Sequence, residues 1–130
     1  MIKIAIIDYG SGNLKSVYNA VKRCEESTKN LKSIKVTDSS NEIDNATHII
    51  LPGVGAFKSC LKGFHGKKNL YKSLLKNVIN NKKPLLGICV GMQMLCTKSM
   101  EDGEHEGFGW IDGVVEKIEV PSPENKIPHM

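Results

Sequence analysis

Short apolar runs rich in β-branched residues recur along the chain, each closed by a glycine, proline or polar turn and separated by stretches of different character. Residues 3–7 end at Asp8-Tyr9-Gly10-Ser11-Gly12, residues 33–37 at Asp38-Ser39-Ser40-Asn41, residues 47–51 at Pro52-Gly53-Val54-Gly55, and residues 84–88 at Cys89-Val90-Gly91. Runs apolar on both sides suit strands covered on both faces. Between them, Leu14, Val17, Val21 and Cys24 predict a helix over 14–25, and Leu70, Leu74, Leu75, Val78 and Ile79 predict one over 69–80. Residues 42–45 and 56–64 read as shorter helical pieces, 92–97 as a helix start, 101–109 as a loop and 113–120 as a further strand. Strands alternating with helices give an α/β fold, a three-layer α/β/α sandwich around a mostly parallel sheet. Ligands gather at the carboxyl ends of such strands, which directs attention to the loops 8–13, 52–55 and 89–91.

The 130 residues suit one domain. The net charge of +4 is scattered, with Lys67-Lys68 and Lys82-Lys83 the only lysine doublets and aromatics at 5%, so no basic stripe marks a nucleic-acid partner. No apolar run reaches the roughly 18 residues of a membrane span, and residues 1–7 do not read as a signal peptide; the expected location is cytoplasmic. Cys24, Cys60, Cys89 and Cys96 contain no C-x-x-C spacing, which supports neither a metal site nor a redox motif.

Cys89 stands apart from the other three. Gly87-Ile88-Cys89-Val90-Gly91 is G-x-C-x-G between a strand and a helix, the thiol counterpart of the serine nucleophile elbow. Glycines on either side admit a sharp turn that lifts the sulfur clear of the sheet. Free N–H groups at the following helix start favour thiolate and can stabilise an oxyanion. The plainer alternative is a buried structural cysteine at the end of a core strand. Pro52-Gly53-Val54-Gly55 can present a second N–H to the same point, or simply terminate a strand.

These segments resemble the class I (triad) glutamine amidotransferases. The likeness runs through Ile7-Asp8-Tyr9-Gly10-Ser11-Gly12-Asn13-Leu14, Leu51-Pro52-Gly53-Val54-Gly55-Ala56-Phe57, Gly87-Ile88-Cys89-Val90-Gly91-Met92-Gln93-Met94-Leu95, Gly107-Phe108-Gly109-Trp110-Ile111 and Ile127-Pro128-His129-Met130. It implies a glutaminase with Cys89 as nucleophile and the backbone N–H groups of Val54 and Val90 as oxyanion donors. Gly53, Gly55, Gln93 and Glu101 would contact L-glutamine. Asn13 and His129 would meet a (β/α)8-barrel cyclase in a heterodimer that receives the ammonia. No cofactor, metal, membrane or nucleic acid is implied.

The resemblance also implies a His and a Glu completing the triad beyond Met130. Residues 1–130 are therefore expected to form the N-terminal part of a type 1 amidotransferase domain, incomplete at the C-terminus, with little glutaminase activity alone and one side of its sheet uncovered. His48, His65 and His105 lack the context of a catalytic base. Other readings are a paralogous subunit for sugar amidation in surface polysaccharide synthesis, a stand-alone cysteine amidase or peptidase, and a non-catalytic fragment. A dinucleotide loop is disfavoured, because the third glycine of G-x-G-x-x-G falls at Lys15.

Overall fold

The structure, a computed structural model, describes residues 1–127. Strands β1 (Ile2–Ile7), β2 (Leu31–Thr37), β3 (His48–Leu51) and β4 (Leu85–Gly87) form one sheet in the order β2-β1-β3-β4. Every pairing in it is parallel, so each connection must cross over, and helices carry the crossings. Helix α1 (Leu14–Arg23) joins β1 to β2, α2 (Ser40–Asn45) joins β2 to β3, and α3 (Phe57–His65) with α4 (Leu70–Leu74) joins β3 to β4.

The strand order decides the layering. The step from β1 to β2 runs opposite to the later steps, so right-handed crossovers put α1 on one face and α2, α3 and α4 on the other. The second face holds the main core: Ile7, Ile49 and Leu51 meet Ile43 of α2, Phe57, Cys60 and Phe64 of α3, and Leu70 and Leu74 of α4. Register places Ile6 beside Ile50, one residue out of phase with that set, so these side chains point toward the α1 layer. On that face Leu86, in the edge strand β4, is 57% exposed. No helix among the described residues is long and apolar enough to cross a membrane.

Four expected elements differ in extent or type. The segment from 92 does not run on as a helix to 97. Helix α5 is Val90–Gln93, and Cys96 opens strand β5 (Cys96–Ser99), which pairs antiparallel with β6 (His105–Glu106) and parallel with β7 (Ile111–Val115). This second, three-stranded sheet was not expected: the expected strand over 113–120 is present but runs 111–115, and the two-residue β6 interrupts the expected loop over 101–109. The cause is competition for carbonyls. The N–H groups of Gly107, Phe108, Gly109 and Trp110 donate to Thr97, Met94, Cys96 and Leu95 O at 2.8–3.0 Å, filling the acceptors that a continuing helix would have used. The helix over 69–80 begins as α4 but is π-helical over Leu75–Asn80. There the fully buried Asn77 donates its side-chain amide to Ser73 O at 2.9 Å and to Asp44 Oδ1 at 2.7 Å.

Candidate functional site

Because β1, β3 and β4 are parallel neighbours, their carboxyl ends open at one rim, and hydrogen bonds tie the three loops there together. The Tyr9 hydroxyl donates to Pro52 O at 2.6 Å, and Val90 N–H donates to Gly53 O at 3.3 Å. Tyr9 is buried, and burial first, then the neighbouring Cys60, holds its phenol well above the ordinary tyrosine range. The hydroxyl therefore stays a donor at any working pH.

Cys89 occupies a strained turn. Gly91 N–H donates to Ile88 O at 3.0 Å, closing a β-turn with Cys89 at its first central position. The backbone there has φ +54° and ψ −121°. That is the type II′ geometry, which normally takes glycine at this position, and a non-glycine residue held there stores about 1–3 kcal/mol. The thiol is exposed. The flanking glycines are required by close approach: a Cβ on Gly91 would lie 2.0 Å from Leu51 O, and one on Gly87 would lie 2.7 Å from Met92 Cα. Gly53 belongs to the same lock, since its Cβ would meet Gly91 N and Tyr9 Oη at 2.6 Å each.

The two expected oxyanion donors are both engaged in this structure, Val90 N–H with Gly53 O and Val54 N–H with the Ser11 hydroxyl at 3.3 Å. Helix α5, four residues long, also gives Cys89 far less of a helix terminus than a full helix would. Gly55 has φ +92° in open space. Gln93 follows on α5, and its Oε1 is buried with no hydrogen-bond partner among the described residues. The Glu101 carboxylate accepts from Phe57 N–H at 3.4 Å, at the start of α3 and three residues past Val54. Asn13 caps α1 by accepting from Ser16 N–H at 3.2 Å. His129 lies outside the described residues.

The remaining sulfurs and imidazoles sit elsewhere. Cys24 ends α1 and is exposed. His48 begins β3, at the opposite rim, 2.8 Å from Thr47 Oγ1. His65 packs edge-on or tilted against Phe64, Tyr71 and Phe108, and His105 Nε2 contacts Asp102 O at 2.8 Å. Among the described residues no cluster of His, Cys, Asp or Glu could hold a metal ion. Sequence reasoning missed the supporting layer of Tyr9, Ser11 and Cys60. The available signal was a buried-type aromatic set within a glycine loop, in which only a packing or hydrogen-bonding role explains a tyrosine.

A wholly parallel sheet with a glycine-locked cysteine turn at its carboxyl rim defines a class, and the family model for glutamine amidotransferase class-I matches residues 5–126. The chain belongs to that family. Among curated relatives it is 42% identical over 129 residues to the imidazole glycerol phosphate synthase subunit HisH of Rhodospirillum rubrum, covering 99% of this chain and 60% of the relative. The subunit of the same name from Pelagibacter ubique is 41% identical, with 99% and 61% covered, and that from Zymomonas mobilis is 42% identical, with 98% and 58% covered. The chain thus spans about 60% of the length of these relatives.

Proposed function

We propose that this chain is the Cys89-bearing part of a glutaminase subunit of imidazole glycerol phosphate synthase, acting in the cytoplasm in histidine biosynthesis. The observation that carries the reading is the exposed thiol at a glycine-type turn position, φ +54°, locked against the proline–glycine loop. A fold stores strain of this kind where a side chain must be presented to a reactant.

In the proposed reaction the Cys89 sulfur attacks the side-chain amide carbon of glutamine. The C–N bond breaks, ammonia leaves with the thiol proton, and water hydrolyses the thioester to glutamate and restores the thiol. The negative oxygen of each tetrahedral intermediate needs N–H donors. Gly53 O and Val54 N–H belong to one peptide unit, so turning that unit would both release Val90 N–H and bring Val54 N–H toward Cys89. The unpartnered Gln93 Oε1 and the Glu101 carboxylate are acceptors for the substrate's amide and ammonium hydrogens. Residues 1–130 then form the N-terminal part of a longer amidotransferase domain, with the base for Cys89 supplied from outside the described residues. Asn13 belongs to the surface that meets a (β/α)8-barrel cyclase, which takes the ammonia, and the resemblance assigns His129, outside the described residues, to the same contact; the word subunit in the relatives' name supports such a partner.

The test is alkylation by 6-diazo-5-oxo-L-norleucine, a glutamine-shaped electrophile, with the cyclase subunit present. Mass spectrometry should find the adduct on Cys89 alone, and excess glutamine should suppress it. A chain labelled no faster at Cys89 than at Cys24, which is also exposed, sinks the assignment.

A further inference from the structure

We infer that the cleft between α2 and α4, with the π-helical turn that continues α4, binds a small phosphate-bearing anion through the Ser73 hydroxyl and the ammonium groups of Lys72 and Lys76. None of its residues belongs to the rim around Cys89, and the inference stands apart from the glutaminase reading. The cleft has a volume of about 550 Å3 and opens to solvent, a size that suits a small organic ligand. Every residue lining it except Leu75 is polar or charged, which fits neither a packing seam nor an apolar docking groove. An orphaned hydroxyl is the independent sign of a ligand. Ser73 is 7% exposed, and its Oγ is buried with no hydrogen-bond partner among the described residues. The rest of Ser73 is satisfied: its N–H donates to Asn69 O at 2.9 Å, and its carbonyl oxygen accepts from Asn77 Nδ2 at 2.9 Å. A helical serine can turn its hydroxyl back onto the carbonyl four residues earlier, and Ser73 does not. A buried hydroxyl in the wall of a polar cleft, left without a partner, is a group whose partner comes from the cleft.

The charges around that hydroxyl decide the sign of the ligand. Asp44 is the one acidic residue lining the cleft. Its Oδ2 lies 3.1 Å from Lys76 Nζ, and its Oδ1 accepts from Asn77 Nδ2 at 2.7 Å, so each carboxylate oxygen is already engaged and a cation finds no open ligand there. Lys83 is occupied by the carbonyl oxygens of Ile43 and Asp44, at 3.3 and 2.7 Å. Lys72 has no carboxylate partner among the described residues. Two lysines thus face one carboxylate across the cleft, and the local charge is positive. A hydroxyl and two ammonium groups together supply the charge-assisted hydrogen bonds that phosphate oxygens accept.

The experiment uses the full chain and its Ser73→Ala, Lys72→Gln and Lys15→Gln variants. Lys15 lies on α1, against the opposite face of the sheet, so its substitution removes the same charge outside the cleft. Each protein is titrated with inorganic phosphate and with glycerol phosphate, against sodium chloride of matched ionic strength. Backbone amide shifts in proton–nitrogen correlation spectra give the dissociation constant and the place of binding, and urea midpoints give the linked stability. In the parent chain phosphate should move the Lys72 and Ser73 amides and raise the midpoint, while chloride does neither. Tighter binding of glycerol phosphate identifies an ester as the ligand, and equal or weaker binding identifies the free ion. Ser73→Ala should weaken binding about tenfold, the effect of one lost hydrogen bond to a charged group, without lowering stability in the absence of phosphate, since the hydroxyl has no bond to lose. Lys72→Gln should weaken it about threefold, as for a solvent-exposed charge pair. Lys15→Gln should leave it within about twofold, because solvent and salt screen a distant charge. Phosphate that stabilises no more than matched chloride overturns the site. So does binding that Ser73→Ala leaves unchanged, or that Lys15→Gln weakens as much as Lys72→Gln does.

Discussion

Replacing Cys89 by glycine should make the protein more stable, the reverse of the usual effect of that substitution. The comparison is with Cys89→Ala, which also removes the thiol but keeps a Cβ. Both variants lose an exposed side chain, so burial differs little between them, and the turn's closing bond from Gly91 N–H to Ile88 O is backbone in both. What differs is the conformation, φ +54° and ψ −121°. Holding a residue with a Cβ there costs about 1–3 kcal/mol. Glycine escapes that strain but brings its own chain entropy, about 0.5–1 kcal/mol against alanine at ordinary positions. The difference favours Cys89→Gly by about 1 kcal/mol. With a urea slope of about 1.5 kcal/mol/M, the unfolding midpoint should rise by about 0.7 M relative to Cys89→Ala. Paired urea titrations followed by far-UV circular dichroism make the measurement. A glycine variant equal to or less stable than the alanine variant would refute the idea that the turn stores strain, and the functional significance attached to that strain would go with it.

Gly91→Ala should destabilise by about 3 kcal/mol or more, since its Cβ would press within 2.0 Å of Leu51 O; Gly113→Ala, which meets nothing within 4 Å, should stay within about 0.5 kcal/mol. Urea midpoints decide it, and equal midpoints for the two would contradict the packing of the turn on β3. Hydrogen bonding from Asn77, and then Lys76, depresses the Asp44 carboxyl below the usual range. Its contribution is therefore complete above the unfolded value of about 3.9 and is lost as pH falls from there through the folded value. Asp44→Asn should flatten the acid limb of stability, and an acid limb identical to wild type would show that the pair contributes nothing. Native-state iodoacetamide should modify Cys24 and Cys89 first, the half-buried Cys96 more slowly, and Cys60, 1% exposed, only on unfolding. Mass spectrometry under native conditions that finds Cys60 reacting with Cys24 would argue against its packing beside Ser11.

The parallel sheet was legible because its strands carry a local signal: continuous β-branched runs with a glycine or proline stop behave alike in most tertiary settings. The second sheet was not legible, because its origin is non-local. Residues 92–97 read as a helix until residues 107–110 take the carbonyls of Met94, Leu95, Cys96 and Thr97, and Gly107 approaches closely enough that a Cβ there would lie 2.2 Å from Cys96 O. The glycines in Gly107-Phe108-Gly109 are visible in the sequence, but the strand they approach is not. The π-helical turn is similar. Asn77 occupies a helical position, and only the arrival of Asp44, 33 residues earlier in the chain, gives its side chain a reason to be buried.

At the site, the sequence conveys composition and the structure conveys state. Gly87, Cys89 and Gly91 announce a sharp turn because few other backbones need that spacing. A one-dimensional pattern cannot show which way a peptide faces, and the proposed chemistry depends on that. Val90 N–H and Val54 N–H are both present at the rim, yet one is spent on Gly53 O and the other on Ser11. Turning the Gly53–Val54 peptide unit would give up both of these bonds, each contributing about 0.5–1.5 kcal/mol net. An energy gap of that size is small enough for a docking partner or a bound substrate to reverse. The strained cysteine, by contrast, is held by Leu51, Gly53 and Met92 packing against the turn's glycines and has no comparable freedom. The nucleophile turn is thus fixed by close packing against its glycines, while the two N–H groups beside it are held by hydrogen bonds to Gly53 O and the Ser11 hydroxyl.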